Sequence, residues 1–260
     1  MPKKRFRVVS ANLNGIRAAG RKGFYEWLTK CDPDVVCMQE TKAQMAVLLD
    51  DLYRPENYHY CFSDAIKKGY SGVGIYSKRK PDNVIEGLGW DVADNEGRYI
   101  QMDFADLSVA SIYLPSGSSG DERQGLKEDF MRRYMKKLKK DVSRSTPMII
   151  CGDWNIVHTE KDIKNFKSNQ KTSGCLPHER EWIDNVFNKV GWVDAFRQVN
   201  QEAHQYTWWS NRGRAWDNNV GWRIDYQVIT PDIADTVMDS YVYKDERFSD
   251  HSPLVVDYRF

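Results

Sequence analysis

Tyr99-Ile-Gln-Met-Asp-Phe-Ala-Asp-Leu-Ser-Val-Ala-Ser-Ile-Tyr-Leu114 decides the fold class. Its two β-rich runs, Tyr99–Phe104 and Val109–Leu114, are joined by only a few residues around Asp106. That is too short for a crossover, so the strands must pair antiparallel, and a purely parallel doubly wound sheet is ruled out. Further short β-rich runs break off at polar clusters: Phe6–Ala11, Val35–Met38, Val73–Tyr76, Met148–Cys151, Tyr226–Ile229, Tyr241–Tyr243 and Pro253–Tyr258. Apolar residues at helical spacing lie between some of them, at Phe24, Trp27 and Leu28, at Leu126, Phe130, Tyr134 and Leu138, and at Trp182, Ile183, Val186, Phe187 and Val190. An α/β chain with this many strands fits two mixed sheets packed face to face with helices outside. There is no linker, repeat or low-complexity tract, and residues 1–260 are read as one domain.

With 41% hydrophobic and 29% charged residues, the chain has the profile of a globular protein, not of a disordered, collagenous or membrane-spanning one. Lys and Arg (38) nearly cancel Asp and Glu (37), so a nucleic-acid partner must be argued from where charge lies. Five cysteines, odd in number and without CxxC spacing, read as reduced thiols. The N-terminal segment has no long apolar run of the kind a secretory leader needs. These features predict a cytoplasmic protein with no membrane partner.

The informative pattern is where the apolar runs stop. One ends at Asn12, a second at Gln39-Glu40, a third at Tyr113 and a fourth at Asp153-Trp-Asn155, while Asp225 and Asp250-His251 stand just before two more. Starts and ends of antiparallel neighbours share an edge, so all of these can converge on one rim. Any one of them alone reads as a turn former or cap. As a group they offer hard oxygen ligands without a Cys/His cage, which suits Mg²⁺ better than Zn²⁺. Glu40 is the leading metal ligand, Asp153 is a base or orienter for an attacking water, and His251 with an Asp partner is a donor to developing phosphoryl charge. The chemistry described is metal-assisted phosphodiester hydrolysis.

The same residues sit in motifs that closely resemble the exonuclease III family of apurinic/apyrimidinic (AP) endonucleases. The motifs are Asn12-Leu-Asn-Gly-Ile-Arg-Ala, Gln39-Glu-Thr-Lys42, Gly69-Tyr-Ser-Gly-Val-Gly74, Glu96-Gly-Arg98, Tyr113-Leu-Pro, Gly152-Asp-Trp-Asn155, Asn219-Val-Gly-Trp-Arg-Ile-Asp225 and Ser249-Asp-His-Ser252, in family order from end to end. The resemblance implies a four-layer, DNase I-like α/β sandwich. It also implies Mg²⁺-dependent incision of double-stranded DNA 5′ to abasic sites, leaving a 3′-hydroxyl, with Mn²⁺ able to substitute. Family members often add 3′-phosphodiesterase, 3′-phosphatase and 3′→5′ exonuclease activity on 3′-blocked or free ends. By matched position, Glu40 resembles the metal ligand and Asn12 and Asp250 support the metal region. Asp153 and Asn155 resemble the pair that orients water and phosphate beside the metal, Tyr113 a phosphate contact, and Asp225 with His251 the Asp–His pair at the metal's edge. Whether Asp153 or His251 is the base is left open.

Of four tryptophans between Tyr206 and Asp225, Trp209 reads as core. Trp208, Trp222 and Ile224 match the family's small apolar pocket for the extruded abasic sugar, where a normal nucleotide is too bulky. Arg212 falls where relatives insert a side chain into the base stack. Gly174 leaves room beside the lesion, favouring internal incision over end trimming. Lys42, Tyr70, Arg98 and Lys164 are expected phosphate contacts, whereas the basic residues of 132–140 read as a solvated helix face. Three positions depart from common family choices: Ser116 and Ser119 replace Asn, Gln or Arg, and Asn14 stands where some relatives carry Asp. His59, His158, His178 and His204 are read as surface or structural. Three other readings compete: a related phosphatase acting on inositol phosphates or another small phosphodiester, a predominantly terminal exonuclease, and a DNA-binding shell without activity. A monomer is the default.

Overall fold

A computed structural model describes residues 5–260. Residues 1–4, which belong to the span read as one domain and to the N-terminal segment read as lacking a leader, lie outside the described residues. The strands are β1 (Arg5–Asn12), β2 (Val35–Gln39), β3 (His59–Ser63), β4 (Val73–Ser77), β5 (Asn83–Glu86), β6 (Tyr99–Asp103), β7 (Ser108–Tyr113), β8 (Met148–Asp153), β9 (Val193–Asp194), β10 (Trp208–Trp209), β11 (Gly221–Trp222), β12 (Asp225–Ile229), β13 (Val237–Val242) and β14 (Leu254–Arg259). The helices are α1 (Ile16–Arg21), α2 (Phe24–Cys31), α3 (Met45–Leu48), α4 (Asp91–Asn95), α5 (Asp121–Asp141), α6 (Phe166–Asn169), α7 (Pro177–Asn185) and α8 (Ala195–Val199). Among the described residues, no helix is long and apolar enough to cross a membrane.

Two six-stranded sheets have the orders β13-β14-β1-β2-β4-β3 and β5-β6-β7-β8-β12-β9. Each contains one parallel pair, β1 with β2 and β7 with β8, in an otherwise antiparallel ladder. The mixed sheets expected from the Tyr99–Leu114 hairpin are present, with Tyr99 opposite Ile112 and the turn closed from the Phe104 N–H to the Leu107 carbonyl at 2.8 Å.

The period of two along each strand builds four layers. Val8, Val35 and Cys37 meet Val109, Ile149 and Cys151 between the sheets. Their neighbours Val9, Val36 and Met38 turn outward onto Phe24, Trp27 and Leu28 of α2. On the other side Ala110, Ile112 and Ile150 turn onto Phe130, Tyr134 and Leu138 of α5 and Ile183 of α7. Helix α5 also carries Asp121 and Glu122 in its first turn and Lys139 and Lys140 in its last, which complements the helix dipole. The third expected helix is α7 continued by a π-helical turn, Val186–Val190, that stops at Gly191 with φ 97°.

Polar side chains fasten the sheets together near one rim. Gln39 donates to the Ser111 hydroxyl at 2.9 Å, and that hydroxyl donates to the Met38 carbonyl at 2.8 Å. Gln227 donates across the interface to the Val8 carbonyl at 2.9 Å. This is the rim at which the catalytic candidates gather.

Candidate active site

Both parallel pairs end at this rim. β1 delivers Asn12, β2 runs into Glu40, β7 delivers Tyr113 and β8 delivers Asp153. β12 runs antiparallel to β8 with Asp225 directly opposite Asp153, and His251 precedes β14, the antiparallel neighbour of β1. The Asn12 amide nitrogen donates to Glu40 Oε1 at 2.8 Å and to Asp153 Oδ2 at 2.9 Å, tying the two sheets together through one side chain. His251 Nδ1 lies 2.9 Å from Asp225 Oδ2, and its Nε2 lies 3.8 Å from Asp153 Oδ2. Asn155 is held by its N–H on Asp153 Oδ1 and by its side-chain amide on the Leu114 carbonyl, each at 2.9 Å. Asn14, Glu40, Lys42 and Asn155 all have φ between 46° and 51°, a left-handed conformation that costs L-residues energy and recurs at functional sites.

Ligand atoms of Glu40, Asp153 and His251 lie within 4.8 Å of one another. Burial, then the facing Asp225, push the Asp153 carboxyl up to about 8 against the pull of His251, and Glu40 pushes it further. Burial works against the His251 imidazolium, but Asp225, Asp153 and Asp250 outweigh it and raise the group to about 10. Asp153, Asp225 and Glu40 thus gather around the His251 imidazolium, with Lys42 reaching Glu40 from the more exposed side, and the buried part of this acidic group fits a hard divalent cation. Asp250 stands apart from this group. Its oxygens accept from Asn14 at 2.8 Å, Ser249 at 3.1 Å and Trp208 at 3.2 Å; burial opposes its ionised form, but His251 and these donors hold it below the usual range. Burial, and then Glu40 and Asp153, push the Tyr113 phenol well above its ordinary value, so it keeps its proton.

An apolar cluster lies beside His251. Trp208 and Trp222, paired across β10 and β11, meet edge to face with ring centroids 6.0 Å apart, and Trp208 also lies 6.5 Å from the His251 ring. Ile224, Ile163, Val157 and Cys175 are the buried members of this cluster, and Phe166 packs against them. A Cβ on Gly174, whose φ is +93°, would meet the Asn155 carbonyl at 3.0 Å and the Trp222 ring at 3.1 Å. Trp209 is 1% exposed in a separate cluster. Arg212 is exposed on the loop between β10 and β11. Lys161, Lys164 and Lys167 line an adjoining cleft with Phe166.

Two expected phosphate contacts are placed otherwise. Arg98 is 1% exposed, bonded to Glu96 at 2.6 Å and to the Tyr113 carbonyl at 2.9 Å, and stacked 4.7 Å over the Tyr113 ring. It is therefore a buried brace behind Tyr113 and Tyr70, because the chain saturates its donors before a phosphate can. Lys42 turns inward, 2.7 Å from Glu40 Oε2 and 2.5 Å from Asn14 Oδ1. Sequence reading passed over Arg123, which reaches Tyr70 at 2.7 Å and Glu96 at 2.9 Å, and the wholly buried ion pair of Lys127 and Glu179. The available signal for Lys127 was its place on the core-facing stripe of α5, three residues before Phe130.

Residues 9–251 match the model of the Endonuclease/Exonuclease/phosphatase family. The chain is 39% identical over 253 residues to an exodeoxyribonuclease of Bacillus subtilis, covering 95% of this chain and 97% of that one. It is 37% identical to the DNA repair nuclease APEX1 of Danio rerio, covering 96% of this chain and 81% of that one. Among solved structures, an AP endonuclease from Archaeoglobus fulgidus superposes with a TM-score of 0.89 at 28% identity, covering 97% of this chain and 99% of that one.

Proposed function

The chain belongs to the endonuclease/exonuclease/phosphatase family, and we propose that within it this protein is a Mg²⁺-dependent DNA-repair hydrolase. It incises duplex DNA 5′ to abasic sites to leave a 3′-hydroxyl, and it removes 3′-blocking groups and terminal nucleotides. The observation that supports this reading is a small apolar cluster, Trp208, Trp222 and Ile224, lying directly beside the Asp153–His251–Glu40 group. A flipped sugar without its base would pack on such an apolar surface, whereas an inositol phosphate would call for cations at that place.

In this mechanism the extruded sugar packs between Trp208 and Trp222, which sets the 5′ phosphodiester against the cluster. Asp153, fixed by Asn12 and the Asn155 N–H, orients the attacking water and takes its proton. The His251 imidazolium, steered by Asp225, donates to a phosphoryl oxygen as charge builds there. Tyr113 keeps its proton and offers a second donor, braced from behind by Arg98. Glu40 and Asp153 would hold the cation, with the His251 imidazolium at its edge, and a bound cation would supply charge neutralisation at the phosphate. Arg123, Tyr70 and the Lys161–Lys167 cleft supply the flanking phosphate grip, and Arg212 reaches toward the stack. One domain spanning 1–260, acting as a cytoplasmic monomer, suffices for all of these steps, and Mn²⁺ is expected to substitute for Mg²⁺.

A duplex oligonucleotide with one central abasic analogue tests the proposal, alongside an intact blunt duplex and an inositol polyphosphate, each with Mg²⁺ or EDTA. The expected result is a single EDTA-sensitive cut 5′ to the analogue. Preferential phosphate release from the inositol compound would overturn the assignment.

A further inference from the structure

A charged pair that the mechanism does not use lies behind the site. Lys127 of α5 and Glu179 of α7 are both 0% exposed at their side chains, with Nζ 2.7 Å from Oε1. Buried ions are retained at a desolvation cost, and here the pair, completed by Gln124 and Ser173, reaches backbone groups beside the active site. Lys127 Nζ donates to the Asn155 carbonyl at 2.9 Å. Glu179 Oε2 accepts the Gly174 N–H at 2.5 Å and the Leu176 N–H at 3.2 Å, and Oε1 accepts from Gln124 at 3.0 Å. The two tethered points are neighbours, since a Cβ on Gly174 would lie 3.0 Å from that same Asn155 carbonyl and 3.1 Å from Trp222. Asn155 also holds Asp153 through its N–H while its own backbone sits at φ 51°, a conformation that needs outside support.

We propose that Lys127 and Glu179 are positioning residues for phosphodiester cleavage: together they clamp the Asn155 backbone and the Gly174 turn, and so fix Asp153 in register with the Trp222 wall of the sugar pocket. This rests on the function proposed above and extends it to residues that touch neither DNA nor metal. The clamp acts on the orientation of reacting groups, so its loss lowers kcat and leaves DNA affinity alone.

The test uses Lys127→Met, which removes the tether to Asn155 and leaves Glu179 to its donors Gly174, Leu176 and Gln124, and Lys127→Met/Glu179→Gln, which removes the tether while leaving no lone buried ion. Both are assayed as the full chain with Mg²⁺ on the abasic duplex, with affinity read by fluorescence anisotropy in EDTA and the 172–176 loop by amide hydrogen exchange. The expected result for the double variant is a fall in kcat of about tenfold or more at unchanged KM and anisotropy, with faster exchange at Gly174. Wild-type kcat in a folded double variant would overturn the clamp, as would a loss appearing only in KM. Should the double variant fail to fold, Lys127→Met decides alone, because it removes the donor to the Asn155 carbonyl and wild-type kcat there refutes the idea. Absence of incision by the wild-type protein would refute the proposed function instead, so the two failures are distinguishable.

Discussion

Without divalent cations the stability of this protein is expected to fall as pH rises through neutrality, and adding Mg²⁺ is expected to remove much of that fall. Asp153 titrates near 8 in the folded chain against an ordinary 3.8, so between those values the folded state holds a proton that the unfolded chain has released. His251 does the same between its ordinary 6.5 and about 10. Stability from both groups is present in full below the unfolded values and lost as pH climbs through the folded ones. The carboxylates held low, Asp162, Glu96 and Asp103, contribute only at acid pH and leave this window untouched. One excess proton costs about 1.4 kcal/mol per pH unit, so Asp153 alone withdraws on the order of 2 kcal/mol between about pH 6 and 7.5. For a chain of this size that lowers Tm by roughly 4–8 °C. A bound cation takes the place of the protons, so the Tm gain from Mg²⁺ over EDTA grows across the same interval. Differential scanning calorimetry at several pH values, in EDTA and in Mg²⁺, measures both slopes, and Asp153→Asn should flatten the EDTA curve. An EDTA curve that is level or rises with pH, or an Mg²⁺ gain independent of pH, would refute the charge accounting.

Glu40→Ala should lose incision by a hundredfold or more, on the order of the several kcal/mol a metal supplies at the transition state, and cleavage left intact at low Mg²⁺ would remove Glu40 from the metal site. Gly174→His places a side chain where a Cβ already meets Asn155 and Trp222 within 3.1 Å, so internal incision should fall more than trimming of a 3′ end; equal losses on the two substrates count against the pocket assignment. Asp162→Asn leaves the fully buried Arg223, now 2.7 Å from that carboxylate, short of its main partner. A loss of about 3 kcal/mol is expected in urea unfolding, and a change below about 1 kcal/mol would show that Asp194 and the rings of Tyr226 and Phe196 suffice.

What the sequence disclosed follows the reach of local physics. Strands buried on both faces, such as Val35–Gln39 and Met148–Asp153, declare themselves as unbroken apolar runs, and the polar residues ending them mark the rim. The edge strands β3 and β5 were passed over because their outer flank has no partner to demand such a run, and all four residues of β5 are exposed. Residue types pointed to the candidate site; partner choice did not follow from them. Nothing local to Arg98 says that Glu96, Tyr70 and the Tyr113 carbonyl will exhaust its guanidinium, or that Lys42 will turn toward Glu40. Lys127 and Glu179 escaped for the converse reason, since a charged residue reads as solvent-facing until the fold supplies its counter-ion.

The proposed working parts are divided between the sheets: Asn12, Glu40 and His251 come from one, Tyr113, Asp153 and Asp225 from the other. Such a centre is a joint, and its tolerance is set by how little the two slabs can slip past each other. Volume changes just beneath it, at Cys37 or Cys151 where the slabs touch, should therefore be felt as misalignment at the joint well before they are felt as melting.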